Sequence, residues 1–199
     1  MTAGQREALV SEWPAFGLPN NKLFDPACFA AKQPLAVEIG FGMGDSLFEM
    51  AQAQPDWNFV GIEVHRPGVG HLLLRAGAAG LDNLRVYHGD SVLVLQDCFG
   101  PGTIDRIQVF FPDPWHKKRH HKRRLINSAF VSLLLDRLAP GGLIHIATDW
   151  QPYAEYIEAV FAGFELAPVS PPARPDTKYE KRGQRLGHAV TDLAWCKPG

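Results

Sequence analysis

A regular alternation of short apolar runs with longer helical patterns constrains the fold of this chain more than any other feature. The apolar runs lie at 35–40, 58–63, 84–90, 104–111 and 143–149. Helical patterns follow them at 45–53, at 67–79, from residue 91, at 125–138 and at 152–162. Strands separated by helices pair in parallel through right-handed crossovers. The pattern therefore predicts an α/β fold with a mainly parallel, doubly wound sheet.

The two ends of the chain depart from this alternation. Residues 1–33 hold one short helical pattern, at 5–12, and three prolines then interrupt the segment. Near the other end, 164–170 and 188–197 flank a Pro-rich, charged loop, and we expect them to pair as an antiparallel hairpin at the edge of the sheet. The predicted organisation is an irregular N-terminal extension over 1–33 and one domain over 34–199. The Pro-Gly-Gly at 140–142 is expected to end the fourth helix.

The composition excludes several classes of protein. The chain has 199 residues, of which 46% are hydrophobic and 21% charged, as in globular proteins. No apolar run approaches the roughly 20 residues that span a bilayer, and the first residues lack the apolar core of a secretory signal. The three cysteines, Cys28, Cys98 and Cys196, are far apart, which argues against disulfides or a zinc site. We therefore expect a cytoplasmic protein without membrane segments or bound metal.

The end of the first predicted strand carries a glycine-rich turn. Glu38 is followed by Gly40, Gly42 and Gly44, which allow a tight turn and a close approach to a ligand. Ligands bind at the carboxyl ends of the strands in such sheets. The dinucleotide-binding fingerprint would need a glycine at position 45, where Asp45 stands and would repel a pyrophosphate. A ligand without phosphate is therefore favoured.

Carboxylates occupy three successive strand ends. Glu63 ends the second strand, where an acid accepts hydrogen bonds from ribose hydroxyls. Asp90 ends the third strand and can accept from an adenine amine, and Glu38 can hold an ammonium group. Singly, each acid is more often a helix cap or a solvated loop residue. Together they indicate a ligand with adenine, ribose and an amine, namely S-adenosylmethionine.

The fourth strand ends in Phe111-Pro112-Asp113-Pro114-Trp115. Proline fixes its own φ and pushes the preceding residue into extended conformations, so Asp113 is held on a stiff arm, as suits a catalytic carboxylate. Trp115 offers a flat face on which a nucleobase can stack. Equally, it can serve as a hydrophobic plug over the sheet.

A basic run follows immediately. The nine residues 116–124 include six of the 20 Lys and Arg residues and three of the 8 His residues, in a chain whose net charge is −1. Such runs are usually solvated faces. Beside a predicted active site and an aromatic side chain, however, this run indicates binding of a nucleic-acid backbone. We interpret the histidines as phosphate or packing contacts, because they lack the H-E-x-x-H spacing of a metal site.

The sequence as a whole resembles the bacterial tRNA (guanine-N7-)-methyltransferase family. The resemblance rests on EIGFGMGDS (38–46), GIEVHRPGVG (61–70), FFPDPWHKKRHHKRR (110–124), ATDWQPYAEY (147–156) and TKYEKRGQRLGH (177–188). It implies a Rossmann-like, class I S-adenosylmethionine-dependent methyltransferase fold. The implied reaction is methyl transfer to N7 of a guanosine in the variable loop of tRNA, by a monomer or homodimer with no obligatory protein partner.

The resemblance also implies roles for individual residues. Those implied for the cofactor are Glu38, Gly40, Gly42, Gly44, Glu63, Asp90 and Asp113, and Asp113 is also the implied catalytic residue. Those implied for the substrate guanosine are Lys117, Asp149, Thr177, Lys178, Tyr179 and Glu180. Those implied for RNA are Arg119, His120, His121, Lys122, Arg123 and Arg124. Few residues precede Gly4, which leaves open any contribution of a longer basic arm.

Three other functions remain as alternatives. A methyltransferase acting on exocyclic amines would use an Asp-Pro-Pro-aromatic loop, whereas Asp113-Pro114-Trp115 lacks the second proline. An RNA-binding module without catalysis would not need the four acids Glu38, Glu63, Asp90 and Asp113. A nicotinamide-dependent dehydrogenase is disfavoured by Asp45.

Overall fold

A seven-stranded sheet forms the centre of the computed structural model, which describes residues 1–175, 180 and 189–199. The strands, numbered in chain order, are β1 (Leu35–Ile39), β2 (Asn58–Glu63), β3 (Leu84–His88), β4 (Ile104–Phe110), β5 (Leu138–Thr148), β6 (Ala167–Pro168) and β7 (Thr191–Cys196). Their spatial order is β3-β2-β1-β4-β5-β7-β6, and the first five pair in parallel. The predicted mainly parallel sheet is confirmed.

Two helices precede the first strand, and the others lie between successive strands. The helices are α1 (Ala3–Ser11), α2 (Trp13–Phe16), α3 (Asp45–Ala53), α4 (Arg66–Ala79), α5 (Ser91–Cys98), α6 (Ser128–Arg137) and α7 (Gln151–Phe161), with 3₁₀ turns at Pro26–Cys28 and Lys118–Arg123. Every residue of β1 and β2 is buried, as expected for strands covered by helices on both faces. No helix in the described part of the chain is long and apolar enough to cross a membrane.

The C-terminal hairpin forms as predicted. β7 runs antiparallel to β5, and β6 pairs with the outer side of β7. The rings of Phe161 and Trp195 stack with their centroids 3.9 Å apart, which joins α7 to β7 in the core. The hairpin therefore extends the parallel sheet beyond β5.

The junction between α6 and β5 differs from the prediction. Asn127 accepts a hydrogen bond from the amide of Phe130 at 3.1 Å, so this N-cap starts the helix three residues later than expected. The Pro-Gly-Gly segment at 140–142 lies inside β5 and does not end the helix. Residues 139–142 bulge out of the ladder opposite Asp105, with Gly141 at a φ of 72°.

The N-terminal helices pack against the domain. Ala8 of α1 and Phe16 of α2 are buried in one apolar cluster with Leu72 and Leu73 of α4. On the other side of the sheet, the helices α5, α6 and α7 contribute to a second cluster. The strand order reverses between β1 and β4, which is where an open α/β sheet forms a crevice at its carboxyl edge.

Candidate active site

The turn after β1 adopts a conformation that requires glycine. Gly40, Gly42 and Gly44 have φ values of 71°, 58° and 76°, in the left-handed region that side chains disfavour. Gly44 is also the N-cap residue of α3. The turn therefore exposes its backbone, without covering side chains at the three glycines, along the crevice between β1 and β4.

A cavity of about 330 Å³ occupies this crevice. It is lined by Glu38, Gly40, Phe41, Gly42, Met43, Gly44, Asp45, Ser46, Phe110, Phe111 and Asp113. Two of the predicted acids, Glu38 and Asp113, thus meet at one cavity with the glycine turn.

Glu38 is a buried residue with a carboxyl group and is among those that line this cavity. It is only 3% exposed, and its Oε2 atom has no hydrogen-bond partner among the described residues. Burial raises the pKa of Glu38 to about 8; the positive charge of Arg174 opposes this rise and the negative charge of Glu63 adds to it. A buried acid in this position favours a cationic partner.

Glu63 fixes the glycine turn. Its Oε2 accepts a hydrogen bond from the amide of Gly42 at 2.7 Å, and its Oε1 accepts from the amides of Val64 and His65, both at 2.7 Å. A carboxylate offers about four acceptor sites, so these three bonds leave capacity for one further donor such as a hydroxyl. The side chain predicted to bind a ribose therefore also shapes the site.

Asp90 caps a helix. Its Oδ1 accepts hydrogen bonds from the amides of Val92 at 2.9 Å and Leu93 at 3.3 Å, at the start of α5. The side chain is exposed, and it does not line the cavity that Glu38 and Asp113 share. The structure thus shows for Asp90 the capping role that any single acid at a strand end can have.

The arm that carries Asp113 is strained at both ends. Phe111 and Trp115 have φ values of 53° and 47°, which are uncommon for residues with bulky side chains. The amide of Phe111 donates to the carbonyl oxygen of Ala147 at 2.8 Å, which anchors the arm to β5. Strain of this kind is found where the surrounding structure imposes a functional conformation.

Asp113 lies between two cavities. The second cavity, also of about 330 Å³, is lined by Asp113, Pro114, Trp115, His116, Lys117 and His120. His120 meets the Trp115 ring edge-on, and the guanidinium of Arg123 lies 5.0 Å from the centre of that ring. A ligand in the first cavity and a base in the second would therefore both adjoin Asp113.

The basic run forms a 3₁₀ turn over Lys118–Arg123. Its cationic side chains are exposed at Lys117, Lys118, Arg119, Lys122 and Arg123, while His120 and His121 are half-buried. His116 and His120 stand four residues apart, but their rings pack on different tryptophans, Trp150 and Trp115. Across the described ranges, no group of three or more His, Cys, Asp or Glu residues is arranged to hold a metal.

Arg124 corrects the prediction that the whole run faces RNA. It is only 6% exposed, and its Nε donates to the carbonyl oxygen of Pro114 at 2.8 Å. Its guanidinium lies over the rings of Tyr153 and Tyr156, with centroid distances of 4.8 and 4.5 Å. Because these protein contacts enclose it, Arg124 supports the arm of Asp113 and lies outside the exposed basic surface.

The remaining predicted substrate residues fall into two groups. Asp149 follows β5 directly, at the same edge of the sheet as Asp113, and is half-buried. Glu180 is buried and bonded to Arg174, with distances of 2.5 and 3.2 Å. Thr177, Lys178 and Tyr179 lie outside the residues that the structure describes.

Arg174 and Asp192 belong to this region and were not identified from the sequence. Two bonds from Arg174, of 2.7 and 2.9 Å, reach the carboxylate of Asp192. Burial would raise the pKa of Asp192, but the hydrogen bonds from His145 and Arg174 lower it to about 2. Aspartate is rare in strands, so Asp192 within the strand sequence TDLAWC is the feature from which this ion pair could have been suspected.

The fold and the cavity define the class. The aminoglycoside resistance methyltransferase NpmB1 superposes with a TM-score of 0.60 at 17% identity, covering 84% of this chain and 89% of that structure. The 16S rRNA (adenine(1408)-N(1))-methyltransferase from Catenulisporales acidiphilia gives a TM-score of 0.60 at 19% identity, covering 88% of this chain and 92% of that structure. The architecture is that of a class I S-adenosylmethionine-dependent methyltransferase.

Sequence comparison gives the family. A family model described as "Putative methyltransferase" matches residues 32–193. The tRNA (guanine-N(7)-)-methyltransferase of Alcanivorax borkumensis is 50% identical, over 99% of this chain and 87% of that protein. The protein of the same name from Methylococcus capsulatus is also 50% identical, over 98% of this chain and 89% of that protein. The chain belongs to the tRNA (guanine-N(7)-)-methyltransferase family.

Proposed function

We propose that this enzyme transfers the methyl group of S-adenosylmethionine to N7 of a guanosine in the variable loop of tRNA. The position of Asp113 between two cavities is the observation that carries the proposal. One cavity presents a buried carboxyl group and a bare backbone turn, and the other presents an indole face beside exposed cations. Two relatives that are 50% identical to this chain carry the name tRNA (guanine-N(7)-)-methyltransferase, which supports N7 of a tRNA guanosine as the target.

The first cavity fits S-adenosylmethionine. Its volume of about 330 Å³ lies at the lower end of the range for small-molecule sites. The unpartnered Oε2 of Glu38 would accept the ammonium group, and Glu63 retains an acceptor site for a ribose hydroxyl. Asp45, whose carboxylate pairs with Arg75 at 2.5 Å, places negative charge at the start of α3. Its side chain also occupies the position where a dinucleotide-binding turn has glycine.

The chemistry at guanine N7 makes modest demands on the protein. S-adenosylmethionine supplies, when bound, an electrophilic methyl group attached to a positively charged sulfur. Guanine N7 has a lone pair and no proton, so no general base is needed. The ring becomes cationic as N7 is alkylated, and the carboxylate of Asp113 would stabilise that developing charge. Asp113 would also orient guanine by accepting hydrogen bonds from N1–H and the amino group.

The second cavity would hold the target base. A base within a folded tRNA is stacked and often paired, so it must be splayed out of the RNA to react. The face of Trp115 offers a stacking surface. Lys117, which lines the same cavity, and Asp149, which follows β5, would supply polar contacts. We assign Thr177, Lys178, Tyr179 and Glu180 to the substrate on the strength of the family pattern.

The exposed cations Lys117, Lys118, Arg119, Lys122 and Arg123 would bind the RNA backbone, with His120 and His121 beside them. We further propose that residues 34–199 are the methyltransferase domain and that the enzyme works in the cytoplasm as a monomer or homodimer. On the family pattern, no obligatory protein partner is expected.

A product analysis tests the function. Purified protein, labelled methyl donor and a tRNA transcript should yield N7-methylguanosine. A matched transcript with 7-deazaguanosine in place of guanosine lacks the reacting nitrogen and should accept no label. Label incorporated into the 7-deazaguanosine transcript, or recovered in a nucleoside methylated at an exocyclic amine, would contradict methyl transfer to N7. It would support the alternative, a methyltransferase that acts on exocyclic amines. Replacing each variable-loop guanosine in turn by adenosine then locates the target.

A further inference from the structure

We propose that Arg174 is a positioning residue for methyl transfer, which fixes Glu180 and the arm of Asp113 in one arrangement. Its side chain is 5% exposed and lines neither of the two cavities. The inference rests on the proposed function, and it assigns to that site a residue that touches neither substrate.

The guanidinium of Arg174 is fully saturated. Its bonds run from Nε to Oδ1 of Asp192 (2.7 Å), from Nη2 to Oδ2 of Asp192 (2.9 Å) and to Oε1 of Glu180 (3.2 Å), and from Nη1 to Oε2 of Glu180 (2.5 Å) and to the carbonyl oxygen of Pro175 (3.3 Å). An arginine has five N–H donors, so these five bonds use them all. A lysine has three donors on one atom and cannot span two carboxylates in this way.

One end of the cluster is anchored in the sheet. Asp192 lies on β7, and its Oδ1 is 2.7 Å from Nε2 of His145, a fully buried residue of β5. His145 and Asp192 thereby tie the guanidinium to the two strands that join the parallel sheet to the hairpin. The other end, Glu180, is one of the residues that the family pattern assigns to the substrate.

The faces of the guanidinium meet the arm of Asp113. Its central carbon lies 5.2 Å from the ring centre of Phe110 and 5.4 Å from that of Phe111. Both rings line the first cavity, and Phe111 is the strained residue from which the arm departs. Arg174 thus connects the segment that carries Glu180 to the segment that carries Asp113.

The buried ion cluster around Arg174 indicates that this residue positions Glu180 and the arm of Asp113, because the stability of the fold alone does not require such a cluster. Buried ion pairs contribute little net stability compared with apolar residues of the same size. Conversely, small displacements of a catalytic constellation strongly reduce turnover. The charge of Arg174 also opposes the pKa rise of Glu38, which links the same residue to the predicted ammonium site.

The decisive variant is Arg174→Lys. We expect kcat, measured with saturating tRNA and methyl donor, to fall about 10- to 100-fold. The dissociation constants of both substrates should change less than about threefold, a split that a general loss of fold would not produce. The matched control is Arg137→Lys, because Arg137 is also largely buried but bonds to the backbone of α5 away from both cavities. The control should retain wild-type turnover.

A double-mutant cycle with Glu180→Gln tests the connection. If Arg174 acts through Glu180, Arg174→Lys should reduce kcat much less in the Glu180→Gln background than in the wild type. Should Arg174→Lys fail to fold, Asp192→Asn removes an anchor from the same guanidinium and is expected to give the same fall in kcat. Wild-type turnover in both Arg174→Lys and Asp192→Asn overturns the inference and leaves the proposed function intact. A wild-type enzyme that forms no N7-methylguanosine overturns both.

Discussion

The guanidinium of Arg124 donates a hydrogen bond to the carbonyl oxygen of Pro114. The last arginine of the basic run therefore supports the segment that carries Asp113. Its neighbour Arg123 is exposed, and its guanidinium lies over the ring of Trp115. Two adjacent arginines therefore have different surroundings: Arg124 lies inside the protein and Arg123 lies on its exposed surface.

This difference predicts separate effects of two alanine substitutions. Arg124→Ala removes a buried charge-assisted hydrogen bond and two ring contacts, so the free energy of unfolding should fall by about 3 kcal/mol. Arg123→Ala should change it by less than about 0.5 kcal/mol, as expected for an exposed site. Urea unfolding of both variants provides the measurement. Equal stability losses would contradict the assignment of Arg124 to the interior.

The exposed cations should make tRNA binding dependent on salt. Each phosphate contact that is lost should make the slope of log Kd against log salt concentration shallower by about 0.7 for single-stranded contacts. We expect this change for Lys117→Ala and for Arg123→Ala, with unchanged affinity for S-adenosylmethionine. Filter binding across a salt series, with cofactor affinity measured in parallel, checks both statements. A slope equal to that of the wild type would remove the residue from the RNA surface.

The sequence predicted those parts of the molecule that local patterns encode. The five parallel strands and their helices follow from hydrophobic periodicity, and the C-terminal hairpin follows from the break in that rhythm. Glu38 and Asp113 were predicted to share a site because the carboxyl ends of parallel strands meet at one edge, and they line one cavity.

Long-range packing determined what the sequence could not show. The burial of Arg124 depends on Tyr153 and Tyr156, which α7 brings over it from a later part of the chain. The bonds between Arg174 and Asp192 depend on the folding of the hairpin, which places the two residues together. The start of β5 was misplaced because Pro-Gly-Gly is as suitable for a bulge in a strand as for the end of a helix.

Asp113 should matter for turnover more than for folding. Its side chain is exposed, so Asp113→Asn should leave the free energy of unfolding within about 0.5 kcal/mol of the wild type. Removing a positioned charge from an active site typically reduces kcat by about 100-fold or more, and we expect a loss of that size. Asp56→Asn, an exposed acid just before β2 at the opposite edge of the sheet, is the control and should retain full activity. Unchanged turnover of Asp113→Asn would exclude Asp113 from the chemistry.

Glu38 should make cofactor binding dependent on pH. Because burial raises its pKa to about 8, the carboxyl group is mostly neutral in the ligand-free enzyme at pH 6–7. An ammonium group binds the ionised form, so affinity should rise up to about tenfold per pH unit between pH 6 and 7.5, with release of one proton. Calorimetry in two buffers of different ionisation enthalpy measures that proton. Glu38→Gln should bind more weakly and show neither effect.

The same carboxyl group affects the stability of the ligand-free enzyme in the opposite direction. In the unfolded chain its pKa is near the ordinary 4.5, whereas in the folded protein it is raised to about 8. The contribution of Glu38 is therefore fully present below pH 4.5 and is lost as pH rises through about 8. Comparing thermal unfolding of the wild type and Glu38→Gln across this range isolates the contribution. A difference between the two proteins that stays constant with pH would show that Glu38 is not protonated in the fold.

Gly68 provides a test of the cofactor cavity in which no predicted contact residue is itself substituted. A Cβ atom at this position of α4 would lie about 1.8 Å from the carbonyl oxygen of Gly42, so the helix approaches the glycine turn too closely for any side chain. Gly68→Ala should displace the turn, weaken binding of S-adenosylmethionine at least tenfold and lower the free energy of unfolding by about 1–3 kcal/mol through overpacking. Gly4→Ala in α1 is the matched control, because its added Cβ would meet only a leucine side chain at 3.7 Å. Cofactor titration and urea unfolding of the two variants give both quantities. Wild-type affinity in Gly68→Ala would mean that the contact between α4 and the turn does not shape the cofactor site.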